Sequence, residues 1–122
     1  EFRRVLFRSG IDVILEIEMQ GALKVKERFP EVSLIFITPP DAKVLRERLE
    51  GRGTETQDVI EKRLARAAQE CAYMDQYDYI VINDDLNVCV EQIHGLIQAL
   101  HWKCVNQQGQ IAKMKGEFAN KA

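Results

Sequence analysis

The chain has 122 residues, of which 46% are apolar and 30% charged, with a formal net charge of -2. That is the length of one domain and the balance of a soluble globular protein rather than a disordered tail. It excludes a chain-wide basic field for nucleic acid, and no apolar run approaches the ~20 residues of a membrane span.

The charge is unevenly placed. Lys43 to Arg66 holds seven Lys/Arg and five Asp/Glu, whereas Ala67 to Trp102 holds no Lys/Arg and six Asp/Glu. A basic segment beside an acidic one suits a small anionic ligand better than a polymer. Cys71, Cys89 and Cys104 form no C-x-x-C pair and read as reduced thiols. No secretory signal is visible, so a cytoplasmic location is expected. Residues 1–9 have neither helical nor strand pattern and resemble a translated sequencing adapter. They are set apart as adapter sequence joined to a reading frame, against the alternative of a natural surface arm.

Gly10 to Glu18 is nearly continuous in apolar and β-branched residues, the pattern of a strand covered on both faces. Glu16 and Glu18 close it, two apart and therefore on one face. Met19 to Phe29 follows as a helix with Ala22, Val25 and Phe29 inward, stopped by Pro30. Ser33 to Thr38 is a second strand, ended by Pro39-Pro40. Asp41 is the expected N-cap of a helix over Ala42 to Glu50, with Val44, Leu45 and Leu49 buried.

Gly51-Arg52-Gly53 breaks the chain. Thr54 and Gln57 have capping-box spacing, so a helix is expected from Glu55 to about Met74. Val59, Ile60, Leu64, Ala67, Ala68 and Cys71 make its inner stripe. Tyr79 to Ile82 is a third buried strand. Asp85 or Asn87 caps a last helix carrying Val88, Val90, Ile93, Leu96, Ile97 and Leu100. Beyond Val105 the chain is polar, a loosely attached helix or a frayed tail. This order predicts an α/β fold with parallel strands, whose ligands sit beyond the strands' carboxyl ends.

The groups at those ends are Glu16/Glu18, Thr38-Pro39-Pro40 and Asn83-Asp84. Glu16 and Glu18 suit a magnesium-bound water, a base or a ribose, or else form a solvated strand end. Arg52 and Arg63 suit phosphate, because arginine forks match its oxygens and flanking glycines let Arg52 move. Arg46, Arg48 and Arg66 read instead as ordinary surface charges with pairs one turn away. Asn83-Asp84 either meets a purine edge or caps the next helix. His94, His101 and Cys104, spaced by seven and three, lack a fourth ligand, and no metal site is expected there. No G-x-x-x-x-G-K-[ST] loop occurs in the 122 residues.

Five blocks, in order and suitably spaced, resemble guanylate kinase: Leu15 to Ala22, Ile35 to Pro40, Arg48 to Glu55, Lys62 to Leu64 and Tyr77 to Asp85. The resemblance covers about residues 10–104, with a lid over about 50–76 and a tail over 105–122. It implies a P-loop nucleoside triphosphate hydrolase-type three-layer α/β/α core with a parallel sheet and a helical lid. The chain is then a C-terminal part, without the P-loop strand or most of the GMP-binding region. The implied activity is transfer of the γ-phosphate of ATP to GMP, with ATP and Mg2+ required. Arg52 and Arg63 match lid arginines on the ATP phosphates, and Asn83 and Asp84 match the segment beside the adenine. Glu16 and Glu18 stand where the family has two carboxylates, the second near GMP. The resemblance also places the absent P-loop strand between the strands of Glu16 and Phe36, so unpaired edges and bare apolar surface are expected. A non-catalytic guanylate-kinase-like interaction module is the alternative, and retained Arg52, Arg63 and Asn83 weigh against it. Another nucleoside monophosphate kinase is a third reading.

Overall fold

A computed structural model describes residues 12–120. The adapter reading of residues 1–9, and the start of the first expected strand at Gly10 and Ile11, lie outside them. Among the described residues the order is α1 (Met19–Arg28), β1 (Ile35–Thr38), α2 (Ala42–Gly51), α3 (Gln57–Cys71), β2 (Tyr79–Ile82), α4 (Leu86–Leu100) and α5 (Gln108–Ala119). Short 3₁₀ turns occupy Met74–Gln76 and Cys104–Asn106.

The strands pair in parallel, Ile35 opposite Tyr79 and Thr38 opposite Ile82. Parallel neighbours need a crossover, and α2 with α3 supplies it. Partners in register share a face, so Ile37 lies beside Val81 and Phe36 beside Ile80. Asn83 N–H donates to Thr38 O at 2.7 Å, the last rung. At the other end Asp78 and Tyr79 both donate to Leu34 O.

The expected first strand does not form a ladder: residues 12–18 carry no strand pairing. A strand is stabilised by a neighbour's backbone groups, and among the described residues β1 and β2 pair only with each other. Ile14 is consequently 75% exposed. The paired strands are half bare as well, with Ile37 at 50% and Ile82 at 54% exposure.

The helix caps explain where the helices begin. Asp41 Oδ1 accepts from Val44 N–H at 2.7 Å, as expected. Asp85 Oδ1 accepts from Val88 N–H at 3.0 Å. The α3 cap is Thr56 rather than Thr54, its hydroxyl accepting from Val59 N–H, so the helix starts at Gln57 and ends at Cys71. Gly53 has φ +65, a conformation only glycine adopts freely, and it turns the chain between α2 and α3. Residues 108–119 form a helix, α5, resting on the turn before it.

The core draws one residue from almost every element: Ala22, Leu34, Leu49, Ile60, Val81 and Cys89. On α4 the inward stripe is Cys89, Ile93, Leu96, Ile97 and Leu100, spaced by helical turns. Val88 and Val90, also carried by this helix, flank Cys89 and stay exposed at 49% and 56%. On α3, Val59, Ala68 and Cys71 are likewise exposed rather than inward.

One polar strap ties α1 to the foot of the sheet. Lys26 Nζ donates to Val32 O and to Asp78 Oδ2, the latter at 3.1 Å. Asp78 Oδ2 also accepts from Leu34 N–H at 2.7 Å. Burial pushes the Asp78 carboxyl up, but the Leu34 N–H and Lys26 outweigh it and hold it below the usual range. A carboxyl depressed by folding adds stability above its unfolded value, near pH 4, that is lost as pH falls through its folded value. Asp78→Asn is therefore expected to lower the melting temperature at neutral pH, with the deficit shrinking below about pH 4. Thermal melts of parent and variant across pH check this; a deficit independent of pH would contradict it.

Candidate functional site

Residues 12–18 stand off from β1, and the gap is a cavity of about 710 Å³. Glu16, Glu18, Arg63, Glu70 and Tyr77 supply its polar wall, and Ile35 and Phe36 are among its apolar lining. Glu16, Glu18 and Arg63, singled out from the sequence, all line this one cavity.

Each of these groups has a distinct environment. Glu18 is the N-cap of α1: its carboxylate accepts from Gln20 N–H at 2.8 Å and Gly21 N–H at 2.6 Å. The helix N-terminus favours that negative charge. Glu16 is exposed and makes no hydrogen bond among the described residues. Burial pushes the Tyr77 phenol up, and the charges of Glu70 and Glu18 push it further, so it stays a neutral donor at neutral pH. Tyr77 is steadied by an edge-on contact with Phe36, ring centres 5.0 Å apart.

Gly21 is needed for the Glu18 arrangement. A Cβ there would lie 2.8 Å from Glu18 Oε1, closer than van der Waals contact. Gly21→Ala must move the flexible end of Glu18 off the cap, a loss of about 1 kcal/mol that alanine's helix propensity roughly cancels. Glu18→Ala removes the cap without that compensation and is expected to destabilise the chain by about 1 kcal/mol; denaturant melts check this, and an unchanged stability in Glu18→Ala would exclude the cap's role.

Arg63 is the unusual member. It lies half buried on α3, and its Nη1 is buried with no hydrogen-bond partner. Leaving a charged donor unpaired costs more than leaving a neutral one. Such a donor on a cavity wall fits an anionic oxygen, as a nucleotide phosphate would provide. For magnesium the residues offer less. Among the described residues no group of three or more His, Cys, Asp or Glu is placed to hold a metal ion. Mg2+ is ordinarily held by one or two carboxylates together with waters and substrate phosphates, and Glu16 is the free carboxylate that suits it. His101, one of the set weighed for a metal, meets Asp12 at 2.6 Å.

Arg52, Asn83 and Asp84 stand outside this cavity. Arg52 is exposed, follows α2 as its C-cap, and its guanidinium makes no bond among the described residues. Asn83 and Asp84 follow β2, and Asp84 lines a second, open groove of about 730 Å³ with Ile80, Val88 and Gln92. The capping reading of Asn83-Asp84 falls away, because Asp85 is the cap.

Arg46 has the expected pair one turn away, Glu50 at 3.7 Å, and also reaches across to α3, with Nη1 2.8 Å from Glu61 Oε1. That hydrogen bond and charge hold the Glu61 carboxyl below its usual range. Arg48, read as a surface charge with a local partner, reaches instead to the carbonyls of Asn83 and Asp84 at 2.7 and 3.0 Å. A signal existed: the residues three and four away on either side are Val44, Leu45, Gly51 and Arg52, none of them acidic.

A parallel sheet with polar strand ends beside a cavity walled by Glu16, Glu18 and Arg63 is the arrangement of an α/β fold that binds its ligand at the strand ends. A family model described as Guanylate kinase matches residues 2–100, including residues 2–9 that were set apart above. Among curated relatives, guanylate kinase of Streptococcus mutans is 46% identical over 109 residues, covering 89% of this chain and 52% of the relative. That of Halalkalibacterium halodurans is 50% identical over 103 residues, covering 84% and 50%. That of Streptococcus agalactiae serotype III is 46% identical over 113 residues, covering 93% and 54%. The chain belongs to the guanylate kinase family. It spans about half the length of the curated relatives it matches. No helix among the described residues is long and apolar enough to cross a membrane.

Proposed function

We propose that these residues form the C-terminal part of a guanylate kinase, and that the complete cytoplasmic enzyme transfers the γ-phosphate of ATP to GMP. A phosphate oxygen of GMP bonds to the γ-phosphorus as its bond to the β–γ bridging oxygen breaks, giving GDP and ADP. Magnesium, when bound, would supply neutralisation of the phosphates' charge.

The observation that carries this reading is the unpaired Nη1 of Arg63 in a wall shared with Glu16 and Glu18. In the proposed role Arg63 donates to the transferring phosphoryl oxygens, and Arg52 joins it when the lid swings about Gly53. Charge spreads over those oxygens in the transition state, so donors held in a partly desiccated wall count for more than in water. Asn83 and Asp84 meet the adenine edge. Glu16 and Glu18 bound the GMP side, Glu18 fixed by its cap and Glu16 free to meet a water or hydroxyl. The three-layer core would be completed by a P-loop strand seated between residues 12–18 and β1. A protein-interaction module has no use for a buried, unpaired Nη1 on Arg63, which disfavours that alternative.

The test is an ADP-release assay on the complete polypeptide. ADP formation is expected only with ATP and GMP together, and neither AMP nor UMP should replace GMP. Turnover with AMP in preference to GMP would move the protein to another monophosphate kinase class. Absence of turnover with every acceptor would favour the interaction module.

A further inference from the structure

We propose that Arg48 is a positioning residue for the base end of the site, an inference that rests on the kinase reading above. Asn83 and Asp84 form a two-residue link between two fixed points. On one side the Asn83 N–H closes the last rung of the sheet on Thr38 O at 2.7 Å. On the other, Asp85 is committed to the α4 cap, accepting from Val88 N–H. Among the described residues the carbonyls of the link receive one side chain: Arg48 Nη1 donates to Asn83 O at 2.7 Å and Nη2 to Asp84 O at 3.0 Å.

A planar guanidinium meets two successive carbonyls at once, and each such bond is charge-assisted. Lysine, a point charge on a flexible stem, cannot hold both in one geometry. The fork therefore sets the backbone orientation of both residues, and with it the direction in which the Asn83 and Asp84 side chains leave the chain. Arg48 also sits in the last turn of α2, four residues before Arg52 and five before the Gly53 turn. The foot of the lid and the base-contacting link are thus one mechanical piece, and lid closure is referred to the bound base.

The test uses the complete kinase with Arg48→Lys and Arg48→Ala, reading KM for ATP, KM for GMP, kcat and the preference for ATP over GTP as donor. Arg48→Lys is expected to raise KM for ATP about tenfold, the scale of one charge-assisted hydrogen bond. It should erode the donor preference while KM for GMP and the melting temperature stay unchanged. Arg48→Ala should go further in the same direction. Unchanged KM for ATP and unchanged preference in Arg48→Lys would overturn the proposal. So would equal losses for ATP and GTP that track a fall in melting temperature, because those mark a merely structural contact. If the unsubstituted protein transfers no phosphate at all, the kinase reading itself fails, and the role of Arg48 falls with it.

Discussion

Replacing Arg63 by alanine in the complete kinase is expected to cut kcat about a thousandfold and leave the fold intact. Arginines that close on a transferring phosphoryl group are worth roughly 10³–10⁵ in rate, or about 4–7 kcal/mol of barrier. The lower end fits here, because Arg52 remains to share the load. Stability should move little or even rise, for a physical reason visible in the structure. The Nη1 of Arg63 is buried without a partner, and removing an unsatisfied donor relieves a penalty of about 1–3 kcal/mol. The lost packing of the aliphatic stem works against that gain. Arg63→Met keeps the stem, and should be the more stable of the two while equally slow. Paired measurement of kcat and melting temperature decides the matter. An unchanged kcat removes Arg63 from the mechanism, and a large fall in melting temperature assigns it to the fold.

The elements that local chemistry determines were legible from sequence. Asp41 and Asp85 read as caps and act as caps, because an acidic side chain before an apolar-periodic run has little else to do. Tyr79–Ile82 reads as a strand and pairs as one. What failed to follow was whatever depends on a neighbour. Residues 12–18 have a strand's composition, yet composition supplies no partner for their backbone groups, and no ladder forms there. Val88 and Val90 have the right hydrophobicity for the inner face of α4. The helix phase is set by Cys89 instead, and one residue of rotation moves both valines out.

The site was half legible by the same logic. Glu16, Glu18 and Arg63, named from the sequence, line one cavity. Glu18 as an N-cap was not foreseen, since glutamate is not a preferred capping residue, and the cap depends on the bare backbone of Gly21 three residues on. Arg48 was missed because its partners are carbonyls 35 and 36 residues away. Backbone acceptors carry no residue-type signal, so only the lack of a local acid hinted that this arginine reaches elsewhere.

Residues 10–122 expressed alone are expected to form no ADP above the blank from ATP and GMP. The lid can supply donors only to a phosphate that something else holds in place. The loop that cradles phosphates, G-x-x-x-x-G-K-[ST], is not among these residues. Without it the reactants lose the alignment that converts a bimolecular encounter into a positioned one, worth about 7–11 kcal/mol in well-oriented cases. The bare surfaces point the same way. Among the described residues each strand of the sheet has one free edge, and fifteen large apolar residues are substantially exposed against six buried. Unpaired edges beside apolar faces recruit other chains. The isolated chain should therefore bind a hydrophobic dye, elute as aggregate at micromolar concentration and melt without a sharp transition. Robust turnover would show that the phosphates are held by groups within these residues. A sharp melt of a monomer would show that six buried side chains suffice for a closed core.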